Sequence, residues 1–294
     1  MQTIRTAGHR YWNPCGSLLA FLWEKIYKKS GQGRRTGVGI TAEGDMLAAM
    51  GLRYGTEEAT EFSEQVHKTI ALEAYRSSVN MAKERGAFAI YDSEREKNNP
   101  FINRLKEADP ELYEEMKKYG RRNIACLTIA PTGTTSLMTQ TTSGIEPVFM
   151  PVYKRRRKVN PNDPQTHVDF VDETGDAFEE YIVFHHKFVE WMTVNGYDPT
   201  KRYTQEEIDK LVEKSPYYKA TSNDVDWLMK VKMQGRIQKW VDHSISVTIN
   251  LPNDVDEALV NRLYVEAWRS GCKGCTVYRD GSRSGDLLLS LIHI

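Results

Sequence analysis

The chain has 294 residues, 40% of them hydrophobic, which suits one large globular domain or two small ones with a substantial core. Basic and acidic side chains number 40 each, so the molecule has no excess charge with which to attract nucleic acid or an anionic membrane, and any anion must be gripped locally. Four cysteines do not make a disulfide framework in so long a chain, no basic-then-apolar leader opens it, and no apolar run reaches the ~18–20 residues of a membrane span; a cytoplasmic protein is expected.

Residues 1–22 show little periodicity of either kind and read as an atypical or misjoined start. WEKIYKKS, 23–30, reads as the end of a basic helix. Gly31, Gly33, Gly37 and Gly39 punctuate a turn and a short strand-like VGI, after which Thr41 is expected to cap a helix running to Met50 and stopped by Gly51. From Thr56 to Arg85 apolar residues recur at helical spacing (Phe62, Val66, Ile70, Ala74, Val79, Ala82) behind Glu57 and Glu58. This predicts a long amphipathic helix ended by Gly86. The charged stretch Tyr91–Arg122 predicts surface helices and loops, and the apolar run Asn123–Ala130 a buried strand that breaks at Pro131.

A further strand is expected in IEPVFMPVYKRRRK, 145–158. The polar segment Asn160–Lys239 carries helical patterns, among them FEEYIVFHHKFVEWMTVNG. SISVTINLP alternates as a strand, Asp254 is expected to open a helix to Ser270, and KGCTVYR closes as a strand. Strand, helix and strand in this order argue for parallel α/β architecture. The last residues, LSLIHI (289–294), can be encoded by CTG TCT CTT ATA CAC ATC, which reads like a transposon end used as a sequencing adapter; they are read as a scar at the end of a tail, 286–294.

The stretch IAPTGTTSLM, 129–138, carries the most chemistry. A parallel strand turning sharply into a helix points backbone N–H groups outward where the macrodipole favours negative charge, and so builds an anion cradle. Pro131 fixes φ at the turn, Gly133 permits close approach of a ligand, and Thr132, Thr134, Thr135 and Ser136 offer hydroxyls. No lysine follows the glycine and no GxxxxGK[ST] spacing exists, so a phosphate here would be held by amides and hydroxyls alone. On residue types, two readings stand: a plain capped turn, the commoner case, and a phosphate site.

APTGTTSLMTQTTSGIEPVFMPVYKRR, GRRTGVGITAEGDMLAAMGLRYG, WVDHSISVTINLP and AWRSGCKGCTVYRDGSR together resemble the adenosylcobalamin-dependent (class II) ribonucleotide reductases, in the family's order over about residues 23–285. The resemblance implies the carboxy-terminal part of a ten-stranded α/β barrel with helical insertions, in which Pro131, Thr132, Gly133, Thr134 and Thr135 bind the substrate's phosphates. Implied with it are a ribonucleoside diphosphate or triphosphate substrate, adenosylcobalamin as cofactor, and replacement of the ribose 2′-OH by hydrogen through a cysteine thiyl. A thioredoxin-like or glutaredoxin-like reductant for the full-length enzyme and a homodimer also belong to that expectation; the isolated chain is expected to be inactive.

Asn13, Pro14 and Cys15 resemble part of the family's finger loop, but Ser17 stands at the position of the family's glutamate, and a hydroxyl cannot accept a proton as a carboxylate does. The match is read as accidental, with the radical cysteine upstream; Cys15 is the candidate inside the chain. Two alternatives stay open. One is a nucleotide-binding module without redox chemistry. The other is a class I large subunit, against which Val277 and Tyr278 stand where that class has a tandem tyrosine.

Other candidates have structural readings. Cys272 and Cys275 form a CxxC with no second CxxC to complete a zinc site, so a structural role is favoured and no metal site is expected. Cys126 reads as core. Asp242, His243 and Ser244 are adjacent on an expected strand and cannot form one hydrogen-bonded chain. His185 and His186, beside Phe184 and Phe188, read as packing or solvent-facing residues of a helix, and Lys154–Lys158 as a solvated basic edge. Glu146, just past the turn, is a carboxylate with no assigned role.

Overall fold

The structure, a computed structural model, describes residues 17–159, 167–173 and 175–282. The expectations for Cys15 and for LSLIHI lie outside the described residues. In chain order the elements begin with α1 (Ser17–Gly33), α2 (Glu43–Ala49), α3 (Glu57–Arg85), α4 (Ser93–Glu96), α5 (Pro100–Ala108), α6 (Pro110–Tyr119) and α7 (Gly133–Thr139). They continue with β1 (Val152–Val159), β2 (Phe170–Val171), β3 (Ala177–Phe184), α8 (His186–Val194), α9 (Gln205–Lys214), α10 (Trp227–Gln238), β4 (Thr248–Leu251), α11 (Glu257–Arg269) and β5 (Thr276–Arg279). Contacts divide the chain into two units, Met1–Val38 with Ile70–Leu127, and Gly39–Thr69 with Thr128–Ile294.

In the first unit, Ala71, Tyr75, Val79 and Ala82 recur at three- and four-residue steps on α3 and form a buried stripe. Of the residues expected on that face Val79 and Ala82 are buried, whereas Ile70 and Ala74 are only half-buried, so the stripe lies one position further on, at Ala71 and Tyr75. Gly86 ends the helix with φ 77°, a conformation that glycine adopts without steric cost. Two Asx-Pro pairs start α5 and α6: the Asn99 and Asp109 side chains accept N–H groups of Phe101 and Leu112, while Pro100 and Pro110 occupy positions whose N–H would have no helical partner. The charged stretch thus does build helices, yet Ile102, Leu105, Leu112 and Met116 bury one side of them, and Arg121 is 2% exposed. Its guanidinium reaches the Glu96 carboxylate (2.6 Å) and the carbonyls of Asn123 and Ile124 (3.1 and 3.0 Å). A buried cation is tolerated because its donors find the Glu96 carboxylate, two carbonyl oxygens and the Met116 sulfur.

In the second unit, β1 and β3 pair antiparallel with β2 on the far edge of β3. The expected strand therefore starts at Val152 instead of Ile145. FEEYIVF, read as helix, is β3; its register sets Glu180 opposite Arg156 and Glu179 opposite Arg157, with ion pairs of 2.6 Å each. Lys158 pairs with Asp176, so most of the basic edge is neutralised across the strands. β4 and β5 pair parallel with α11 as the connection, the arrangement expected from the order of elements. Asp256, two residues later than the expected Asp254, caps α11 by accepting the Leu259 N–H at 2.8 Å.

Two apolar clusters hold this unit. One gathers Ala48, Val148, Phe188, Met192, Leu211 and Tyr217; the other gathers Val231, Ile249, Leu251, Leu263 and Ala267. Fully burying one such aliphatic or aromatic side chain contributes roughly 1.5–3 kcal/mol. Ile129 forms a parallel bridge to Ile245, which leads the apolar run straight to Pro131. Among the described residues that run is held by bridges and is not a continuous strand. No helix of the described residues is long and apolar enough to cross a membrane.

Candidate functional site: the turn at Pro131

The turn is launched by the bridge at Ile129, whose carbonyl accepts the Ser246 N–H at 2.9 Å. Pro131 is exposed, and Thr132 takes the N-cap position of α7 in a left-handed conformation, φ 53° and ψ 22°. The first backbone bond of α7 runs from the Ser136 N–H to the Thr132 carbonyl at 2.8 Å. The N–H groups of Gly133, Thr134 and Thr135 therefore open the helix, and none donates to an acceptor among the described residues. All three residues are exposed. α7 is seven residues long, so the local amides matter more than any macrodipole.

The hydroxyls divide into two sets. Thr41 donates to the Thr142 carbonyl at 3.0 Å, which uses its one proton, so the 3.0 Å contact between the Thr132 and Thr41 hydroxyls is donated by Thr132. Thr132 Oγ1 also accepts the Gly144 N–H at 2.7 Å. Ser136 donates to the Gly133 carbonyl at 2.9 Å and meets Ser143 Oγ at 2.6 Å. The expectation that Thr132 and Ser136 offer hydroxyls to a ligand is thus corrected: both are spent tying the turn to its own return segment. The hydroxyls of Thr134 and Thr135 face outward with no partner among the described residues.

Thr41 does not cap α2 either. Ala42 stands at that position with φ 71°, and the Thr41 hydroxyl is drawn to Thr142 instead. A Cβ built on Gly133 meets no atom within 4 Å, and its φ is not in the left-handed range. The fold itself does not require glycine there.

The family model for the ribonucleotide reductase barrel domain matches residues 14–278. The chain belongs to the ribonucleotide reductase family. A vitamin B12-dependent ribonucleoside-diphosphate reductase of Mycobacterium tuberculosis (strain CDC 1551 / Oshkosh) is 30% identical over 264 residues, 87% of this chain and 33% of that protein. Another so named, from Thermoplasma acidophilum, is 30% identical over 266 residues, 90% of this chain and 31% of that protein. The chain thus spans about a third of the length of these relatives. Among solved structures, the Actinobacillus ureae class Id ribonucleotide reductase alpha subunit matches with TM-score 0.57 and 16% identity, over 86% of this chain and 40% of that one. The fold is accordingly of the ribonucleotide reductase type.

Within this family member the remaining candidates find structural places. Glu146 accepts the Thr248 N–H and pairs with Lys230 Nζ, both at 2.6 Å; Lys230 is 1% exposed and also bonds the Thr248 carbonyl at 2.6 Å. Glu146, itself 23% exposed, is thereby committed to a pair with a buried lysine. Cys272 and Cys275 pack against the Val231 cluster as free thiols. Burial, then the neighbouring Cys275, pushes the Cys272 thiol up to about 12, and burial raises that of Cys275. Both stay protonated, as suits a structural role. Cys126 is buried.

Asp242 and His243 approach only to 4.0 Å, beyond hydrogen-bond reach, and no triad forms. No group of three or more metal-binding side chains occurs among the described residues. His185 was misplaced by the sequence reading: it precedes α8 and bonds Asp45 at 2.8 Å, whereas His186 is exposed.

Reading from sequence also missed Asp45, Thr142 and Lys230. For Lys230 a signal exists. Lys230, Gln234 and Gln238 recur at four-residue steps on α10 among Leu, Met, Val and Ile, and all three are buried. A polar stripe inside an apolar pattern marks side chains that hold backbone groups.

Proposed function

We propose that this chain carries the substrate-phosphate end of an adenosylcobalamin-dependent ribonucleotide reductase, which in the whole protein converts ribonucleoside diphosphates or triphosphates to deoxyribonucleotides in the cytoplasm. Residues 23–285 are the carboxy-terminal part of its ten-stranded α/β barrel; the parallel pairing of β4 and β5 and the parallel bridge at Ile129 and Ile245 support that reading. The names and identities of the two vitamin B12-dependent relatives support the cofactor and the reaction. A thioredoxin-like or glutaredoxin-like reductant and a homodimer complete the proposal for the whole protein.

The observation that carries the site is the set of exposed amides at Gly133, Thr134 and Thr135, with free space where a side chain at 133 would stand. Pro131 sets the entry of the chain, and Thr132 holds the turn through its hydroxyl. Gly133 admits the phosphate, and Thr134 and Thr135 add amide and hydroxyl donors. With the phosphate fixed, the sugar is aimed in one direction, an orientation role.

Adenosylcobalamin, when bound, supplies the radical chemistry. The described cysteines are not assigned to that chemistry: Cys126 is buried in apolar packing, and Cys272 and Cys275 are half-buried beside the Val231 cluster. The described residues of the turn serve binding.

Titration of the 294-residue chain with ADP and Mg²⁺ by calorimetry tests the site. Gly133→Val is expected to weaken binding about tenfold, since a β-branched side chain fills the approach, with thermal stability nearly unchanged. Unchanged affinity removes the turn from the account.

A further inference from the structure

Asp45 lies in the first turn of α2 and is 5% exposed. Its Oδ2 accepts the Thr142 N–H at 2.7 Å, and its Oδ1 meets His185 Nε2 at 2.8 Å and accepts the Tyr217 hydroxyl at 2.9 Å. In return, the Asp45 N–H donates to Thr142 Oγ1 at 3.3 Å. The Thr142 carbonyl accepts the Ala42 N–H and the Thr41 hydroxyl, both at 3.0 Å. Every polar group of Thr142 is thus held by residues 41–45, and Thr142 is itself buried.

The segment so held is bent against its own preference. Thr132, Gln140 and Gly144 all have left-handed φ, 53°, 58° and 48°. Non-glycine residues stay in that region only where their surroundings over-determine it. The bonds form a continuous path: Asp45 to Thr142, Thr142 to Thr41, Thr41 to Thr132, and Thr132 to Gly144. A carboxylate suits the hub because two oxygens can accept three donors, where an amide offers one oxygen. Burial first, then the Asp45 charge, holds the Tyr217 hydroxyl protonated, so it remains a donor.

We infer that Asp45 is the positioning residue of the turn: by clamping Thr142 it fixes, through Thr41 and Thr132, where the amides of Gly133, Thr134 and Thr135 point. The inference rests on the reading of that turn as a nucleotide-phosphate site. A merely structural Asp45 would lower stability and affinity in proportion, whichever of its bonds is cut. A positioning Asp45 separates its two oxygens: the Thr142 side governs affinity and the Tyr217 side does not.

The test compares Asp45→Ala, Asp45→Asn and Tyr217→Phe in the 294-residue chain by thermal midpoint, by ADP affinity with Mg²⁺, and by amide hydrogen exchange over residues 131–145 without nucleotide. Asp45→Ala is expected to weaken ADP binding at least about tenfold and to speed exchange in that segment. Asp45→Asn, whose carbonyl still accepts the Thr142 N–H, recovers affinity to within about threefold. Tyr217→Phe lowers the midpoint but leaves affinity within about twofold.

Wild-type affinity in Asp45→Ala, or an equal loss in Tyr217→Phe, overturns the inference. Should Asp45→Ala not fold, Thr41→Val cuts the path between Thr142 and Thr132 without touching the carboxylate; full ADP affinity there also overturns it. If the wild-type chain binds no ADP, the nucleotide reading fails and exchange alone decides the clamp. Faster exchange in Asp45→Ala sustains it and unchanged exchange refutes it.

Discussion

Two short connections in the second unit invite comparison. The turn at 131–135 leads into a helix, and the CKGC loop at 272–275 leads into β5. The CKGC loop is sealed: the Cys272 N–H bonds the Ala267 carbonyl, Gln238 accepts the Lys273 N–H, and Gln234 donates to the Gly274 carbonyl at 2.7 Å. The turn at 131–135 is braced from behind just as thoroughly, yet leaves the amides of Gly133, Thr134 and Thr135 exposed. Backbone groups are normally paired wherever pairing is available. The CKGC loop spends a main-chain N–H and carbonyl on the glutamines of α10, whereas the turn at 131–135 keeps its helix-opening amides on the outside. The bonding of the CKGC loop agrees with the structural role that its lone CxxC suggests.

The largest expected effect tests the sealed side. Lys230→Ala leaves the Glu146 carboxylate without its buried cation and is expected to destabilise the chain by about 3–5 kcal/mol in urea unfolding, while Lys230→Met combined with Glu146→Gln recovers most of that loss. A cost under about 1 kcal/mol would mean that α10 does not secure this region. Next comes Gly133→Val on the open side, whose effect falls on affinity instead of stability.

The smallest effect is a pH dependence. The folded state holds the Cys272 proton more tightly than the unfolded chain. Its contribution is therefore complete below the ordinary thiol value of about 8.5 and is lost as pH rises towards about 12. Between about pH 7 and about pH 10.5 the urea midpoint of Cys272→Ala is expected to fall less than that of wild type. Equal slopes would show that the thiol is not desolvated.

Much of this was legible in the sequence because the signals are local. The long helix α3, its stop at Gly86 and the break at Pro131 depend on residues within a few positions of each other. β3 was not legible, since Phe178, Tyr181 and Ile182 suit a helical face as well as a strand, and β1 decides between them through the pairing of Glu179 and Glu180 with arginines. Asp45 was not legible either. An acid in the first turn of a helix is fully explained by the helix dipole, and its actual partner, Thr142, lies 97 positions away. The residue types of the turn allow an anion cradle or a plain capped turn, and which of its hydroxyls stay free depends on Thr41 and Ser143, which the local motif does not contain.

The most direct measurement is an ADP titration of chain labelled with ¹⁵N at glycine and threonine, followed by amide chemical shifts. The Gly133, Thr134 and Thr135 signals should move together and saturate with the calorimetric affinity, while the Lys273 and Gly274 amides, observed in a second lysine-labelled and glycine-labelled sample, stay in place. Saturable ADP binding that leaves those three signals unmoved would contradict the assignment of the turn as the phosphate site.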